Sequence, residues 1–137
     1  MISDSDLTDL LQQAKNIAVV GISSNPTRAS FGVSRFLQRQ GYRIIPVNPA
    51  EKEVHGEPVF PTLADVPHAI DIVDIFRRAD AVFSVVQEAI PKKPRLIWMQ
   101  EGIVNEEAAQ LAESNGIPVV MDRCILKELA RLLPLTK

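Results

Sequence analysis

Small polar and basic residues follow the first apolar run of the chain, and their types suit the binding of an anion. The apolar residues 17–20 lead to Gly21 and then to a polar stretch that enters an amphipathic segment. Backbone N–H groups at a helix N-terminus attract phosphate, and the planar guanidinium of Arg28 can donate to it. The sequence therefore predicts a phosphate-binding loop, with an ordinary strand-to-helix turn as the alternative. The candidate residues are Gly21, Ile22, Ser23, Ser24, Asn25, Arg28 and Ser30.

The same loop lacks the glycine patterns of the common nucleotide-binding motifs. Residues 21–26 read Gly-Ile-Ser-Ser-Asn-Pro, so they contain neither the G-x-G-x-x-G fingerprint nor a G-K-[ST] phosphate loop. The second apolar run ends at Asn48 and Pro49, whereas NAD-binding folds carry an acidic residue there for the ribose. A generic dinucleotide-dependent dehydrogenase is therefore disfavoured.

Two later apolar runs also end in residues that could contact a ligand. Phe76 is followed by Arg77, and an aromatic ring beside a guanidinium can cover a base and hold a phosphate. The alternative is a core phenylalanine followed by a solvated arginine. After residues 96–99, Gln100 and Glu101 could contact the polar edge of a ligand, or they could form a simple turn.

Composition excludes several classes of function. The 137 residues carry 15 basic and 17 acidic side chains, a net charge of −2, so the chain lacks the basic field of a nucleic-acid binder. With Cys124 as the one cysteine, neither a disulfide framework nor a cysteine-rich zinc site can form. The two histidines, His55 and His68, lie thirteen residues apart and beside turn residues, a pattern that does not favour a metal site.

The chain shows no signal for secretion or membrane insertion. Residues 1–6 include two aspartates where a signal peptide needs positive charge. The longest charge-free run, residues 16–27, has twelve residues, fewer than the ~20 of a spanning helix. We expect a soluble, cytoplasmic protein without a membrane or nucleic-acid partner.

Strand-like and helix-like segments alternate along the chain. Strands are predicted at residues 17–20, 42–47, 59–60, 70–76, 96–99 and 118–121. A leading helix, a helix capped by Asn105 and a final helix capped by Asp122 belong to the same pattern. Such alternation predicts a single α/β domain over residues 1–137: a Rossmann-like, doubly wound, mainly parallel sheet with helices on both faces. Ligands of this fold bind at the carboxyl ends of the strands.

Seven short segments at these strand ends carry a family resemblance. They are Gly-Ile-Ser at 21–23 with Pro26, Arg28 and Ser30, GYRIIPVNP at 41–49, GEPVF at 56–60, VDIFR at 73–77, IWMQ at 97–100, GIVNEEA at 102–108 and MDRC at 121–124. As an ordered set they resemble the small CoA-binding proteins of the YccU type. The set is similar, more distantly, to the nucleotide-binding domain of the succinyl-CoA synthetase α subunit.

The resemblance implies a site for coenzyme A. The loop that starts at Gly21 would hold its phosphates, and the turn formed by Val47, Asn48 and Pro49 would border the nucleotide. Phe76 and Arg77 would flank it from the fourth strand. The path of the pantetheine arm would be lined by Met99, Gln100 and Glu101. Family members often carry a lysine where this chain has Ala50 and another basic residue near Asn25, and Lys52 is a candidate replacement for the first.

Four functions are compatible with these features, and we favour binding of CoA or an acyl-CoA without chemistry of its own. A nicotinamide oxidoreductase or CoA transferase would need a carboxylate, for which Asp71, Asp74 and Glu101 are candidates. Cys124 could form a mixed disulfide with CoA. A regulatory subunit could bind CoA while its partner supplies the chemistry. A protein partner or a homodimer is compatible with the sequence, which indicates neither.

Overall fold

Five short strands form a parallel sheet in the computed structural model, which describes residues 2–133. Together with two strands of a separate hairpin, the strands of residues 2–133 are, in chain order, β1 (Asn16–Val20), β2 (Arg43–Val47), β3 (Glu53–Val54), β4 (Glu57–Pro58), β5 (Ile72–Ile75), β6 (Leu96–Met99) and β7 (Val119–Val120). The sheet has the order β2-β1-β5-β6-β7, and β3 pairs with β4 as a small antiparallel hairpin. The register places Val19 beside Asp74, and Asp74 beside Trp98.

Five α-helices cover the sheet. They are α1 (Asp4–Gln13), α2 (Ala29–Arg39), α3 (Val82–Ala89), α4 (Glu106–Ser114) and α5 (Ile125–Leu132). The expected cap of α4 is confirmed, because the amide of Ala108 donates to Asn105 Oδ1 at 2.9 Å. Within residues 2–133, no helix combines the length and apolar character needed to cross a membrane.

The two faces of the sheet bury separate apolar clusters. Val73, Ile75 and Ile97 pack on one face with α3 and α4. Ile72 and Trp98 pack on the other face with α1, α2 and α5. Strands β5 and β6 are buried along their whole length, as parallel strands covered on both faces require. The predicted Rossmann-like, doubly wound fold is therefore confirmed.

Two local predictions were wrong. Residues 59–60 do not form a strand, because Phe60 makes a single bridge to Val47 and the hairpin strands lie just before it. Asp122 does not cap the final helix, because its Oδ1 accepts from the amide of Gly102 at 2.7 Å. The first helical amide, that of Ile125, donates instead to Gln100 Oε1 at 3.1 Å.

Candidate functional site

A cleft opens at the carboxyl ends of β1 and β5, where the chain changes direction across the sheet. These strands are neighbours, yet α2 follows β1 on one face and α3 follows β5 on the other. Such a switch point is the usual ligand site of this fold. The cleft has a volume of about 580 Å³ and is lined by Gly21, Ser23, Arg28, Ala29, Ser30, Asn48, Pro49, Phe76, Arg77 and Ile103.

Backbone hydrogen bonds bring the loops around the cleft into contact. The amide of Gly21 donates to Val47 O at 2.8 Å, and the amide of Phe76 donates to Val20 O at 2.8 Å. Gly21 has a φ of +87°, a conformation that favours glycine. The turn after β1 is therefore held between the ends of β2 and β5.

The amides of the loop between β1 and α2 are mostly satisfied by the loop itself. The amide of Ser23 donates to Ser30 Oγ at 3.0 Å, and that of Asn25 to Ser23 Oγ at 3.0 Å. The amide of Thr27 donates to Asn25 Oδ1 at 3.0 Å. The first turn of α2 supplies further donors, because Ala29 and Ser30 line the cleft and the first amides of a helix have no intrahelical acceptor.

Positive charge concentrates at this helix end. Arg28 precedes α2, and Arg77 enters the cleft from the end of β5. Both are exposed, and neither forms an ion pair or side-chain hydrogen bond with another of residues 2–133. The first turn of α2 carries no acidic residue, so the positive end of the helix dipole is also uncompensated. The cleft is thus suited to an anion.

Asn48 joins two of the loops that surround the cleft. Its Nδ2 donates to Ile22 O at 2.7 Å, and its Oδ1 accepts from the amide of Ala50 at 2.8 Å. Both polar atoms of the side chain are therefore engaged within the protein. The neighbouring Val47 is buried, whereas Pro49 contributes to the cleft wall.

The structure brings eight of the fifteen predicted site residues to the cleft. They are Gly21, Ser23, Arg28, Ser30, Asn48, Pro49, Phe76 and Arg77. Ala29 and Ile103 also line it. Neither was predicted as a site residue, although Ile103 lies in the segment 102–108 that carries part of the family resemblance. The remaining predicted residues are Ile22, Ser24, Asn25, Val47, Met99, Gln100 and Glu101, which lie outside the lining.

The three residues that follow or end β6 have other surroundings. Met99 is fully buried in the core. Gln100 is 4% exposed, and its Oε1 accepts from the first amide of α5. Glu101 is exposed and pairs with Lys127 at 2.9 Å. Their contact with a pantetheine arm stays a prediction.

Comparison with known proteins places the chain in a family. A family model described as CoA binding domain matches residues 15–130. The chain is 42% identical over 123 residues to the uncharacterized protein YneT of Bacillus subtilis (strain 168), covering 90% of this chain and 91% of that protein. It is 30% identical over 130 residues to the acetate–CoA ligase (ADP-forming) II subunit alpha of Pyrococcus furiosus, covering 87% of this chain but 28% of the subunit.

A solved structure supports the same assignment. A hypothetical protein from Pyrococcus horikoshii OT3 superposes with a TM-score of 0.94 at 35% identity, covering 97% of this chain and 94% of that one. The family resemblance carried by the strand ends is thereby confirmed. With a matching fold and a family match over nearly its whole length, the chain belongs to the CoA binding domain family.

Proposed function

We propose that the chain binds coenzyme A or an acyl-CoA in the cleft between β1 and β5. The observation that carries the proposal is that two arginines line the cleft, Arg28 just before α2 and Arg77 after β5, and that neither guanidinium has a side-chain partner among residues 2–133. CoA is a phosphorylated nucleotide, and its phosphates would accept from these guanidiniums and from the first-turn amides of α2. The cleft volume of about 580 Å³ lies within the range of small-molecule sites.

The remaining parts of CoA are assigned to the walls of the cleft. The half-buried ring of Phe76 would flank the adenine, and the turn at Val47, Asn48 and Pro49 would border the nucleotide. The pantetheine arm would leave along Met99, Gln100 and Glu101. The loop residues Ile22, Ser24 and Asn25 would also contribute to the phosphate site, where Ser24 and Asn25 are exposed.

We propose that the protein binds CoA in this cleft without catalysing a reaction. Of residues 2–133, those that line the cleft include no aspartate, glutamate, histidine, cysteine or lysine. The carboxylates considered for catalysis lie elsewhere: Asp71 accepts from two amides at the amino end of the sheet, and Asp74 is fully buried. Glu101 is paired with Lys127.

A second candidate function is a CoA-binding subunit whose partner supplies the chemistry. It is favoured by the identity to the alpha subunit of the Pyrococcus furiosus ligase, of which this chain spans 28%. In either case we propose a cytoplasmic place of action.

Thermal unfolding with a panel of ligands tests the proposal. CoA at a hundred times its dissociation constant should stabilise the protein by about 2.7 kcal/mol, a Tm increase of roughly 5–10 °C. Acetyl-CoA should act similarly, dephospho-CoA less strongly, and NAD not at all. A shift with NAD alone, or with none of the ligands, would contradict the proposal.

A further inference from the structure

An internal carboxylate already occupies one position of the phosphate loop. Glu51 Oε2 accepts from the amide of Ser24 at 2.8 Å and from Ser24 Oγ at 3.1 Å. Ser24 is adjacent to Ser23, which lines the cleft. The amides of Ser23, Asn25 and Thr27 donate instead to neutral side-chain oxygens, those of Ser30, Ser23 and Asn25. Among residues 2–133, Glu51 therefore supplies a charged acceptor to this loop.

The turn after β2 holds Glu51 in this position. Asn48 Oδ1 accepts from the amide of Ala50 at 2.8 Å, and Asn48 O accepts from the amide of Glu51 at 3.4 Å. The Glu51 side chain then bridges from the β2 turn to the β1 loop. It remains half-buried, and Ser24 is exposed. The contact therefore lies at the surface, where a ligand can displace it.

We propose that Glu51 competes with a ligand phosphate for the two donors of Ser24. This inference rests on the proposed function, because the same loop is assigned to the CoA phosphates. A phosphate and a carboxylate accept from the same type of donor, and both cannot occupy it. A phosphate can occupy these donors only in molecules from which the Glu51 carboxylate has moved away. The apparent affinity of the loop for phosphate is therefore reduced in proportion to the fraction of such molecules. Glu51 thereby acts as a specificity-determining residue that weakens binding of highly charged ligands.

Calorimetric titration of three proteins tests this role. The proteins are the wild type, E51Q and the matched control E53Q, each titrated with CoA and with inorganic pyrophosphate. Glu53 is exposed, and among residues 2–133 it forms no side-chain hydrogen bond or ion pair. E51Q should bind both probes about threefold to tenfold more tightly than wild type, because a charge-assisted hydrogen bond is replaced by a neutral one. E53Q should stay within about twofold of wild type, as expected for an exposed charge.

An NMR comparison gives a second, ligand-independent measurement. The Ser24 amide donates to Glu51 Oε2 at 2.8 Å, so its signal should differ between the wild type and E51Q and should be unchanged in E53Q. An unchanged Ser24 amide signal in E51Q would contradict the contact.

The outcomes separate this inference from the proposed function. Equal or weaker binding by E51Q, or an equal gain in E53Q, overturns the role of Glu51 while CoA binding stands. If CoA binds none of the proteins but pyrophosphate follows the expected order, the CoA proposal fails and the role of Glu51 stands. Absence of binding by both probes overturns both.

Discussion

The Cα atom of Gly21 lies so close to the carbonyl group of Phe76 that a side chain on Gly21 has no space. A Cβ atom there would collide with the carbonyl oxygen of Phe76 and would lie 2.9 Å from Cδ of Arg77. This contact joins the ends of β1 and β5 at the floor of the cleft. Two features therefore require glycine at this position of the loop: the φ of +87° and the close approach of the Phe76 carbonyl group.

We expect G21A to lose stability and CoA binding together. Left-handed backbone strain and the collision with a backbone atom should cost about 2–4 kcal/mol. The matched control is G41A, because Gly41 has a φ of +98° but open space where a Cβ would lie. G41A should lose about 1–2 kcal/mol and keep its affinity. Urea unfolding and calorimetry measure both effects; equal losses in the two variants would show that the contact with Phe76 contributes nothing.

Arg28 and Arg77 should carry much of the CoA affinity. Because each arginine lines the cleft and its guanidinium has no partner in the described part of the chain, residues 2–133, R28A and R77A should each weaken CoA binding by about tenfold. Raising the salt concentration should reduce these differences. R78A is the control, since Arg78 lies outside the lining and pairs with Asp80 at 3.5 Å. Titration calorimetry at two salt concentrations measures the effect, and an equal loss in R78A would point to general charge rather than to the cleft.

The stability of the protein should fall as pH rises because of Asp74. Its carboxyl group is fully buried, neither oxygen has a hydrogen-bond partner among residues 2–133, and desolvation raises its pKa well above the ordinary value of 3.8. The folded state therefore keeps a proton that the unfolded state has lost. Stability is greatest below the unfolded pKa and declines from there toward the folded pKa.

Replacing Asp74 by asparagine should remove this pH dependence. The Tm difference between D74N and the wild type should grow in favour of the variant from pH 4 upward, because D74N has no proton to lose. D9N provides the control, since Asp9 is exposed on α1 and forms no ion pair within residues 2–133. Parallel Tm profiles for D74N and the wild type would refute a titrating Asp74.

His55 should produce a smaller effect of opposite sign. Desolvation is the main cause that lowers its pKa from 6.5, and the charge of Arg35 adds to it, although a hydrogen bond to Phe31 O opposes the shift. Its Nε2 lies 3.1 Å from Phe31 O and 2.9 Å from Ser34 Oγ. These two contacts connect the β3–β4 hairpin to α2. Stability is therefore complete above pH 6.5 and falls as pH decreases through the folded pKa.

Proton NMR of the His55 ring measures this pKa directly. H55Q should flatten the acid side of the Tm profile, with a change below about 1 kcal/mol because the ring is only partly buried. A ring that titrates at or above pH 6.5 would be incompatible with the desolvated position.

Much of the site was predictable because parallel strands all end at one edge of the sheet. Residues just after apolar runs, such as Gly21, Asn48 and Phe76, could be selected without knowing the strand order. The same rule selected Gln100, but it could not foresee that α5 docks its first amide on that side chain. Nor could it foresee that amides of the β1 loop bond to Ser23 and Asn25 within the loop and to Ser30 in the first turn of α2.

The sequence by itself determined the parallel α/β architecture, because apolar runs that alternate with amphipathic segments can bury their surfaces in few other ways. Only the tertiary structure decided which strand ends share the cleft. Arg28 and Arg77 line the same cleft because β1 and β5 are adjacent, although β2 to β4 separate them along the chain. The contact between Glu51 and Ser24 likewise depends on the turn set by Asn48. Such contacts arise from the packing of distant segments, which local sequence patterns do not encode.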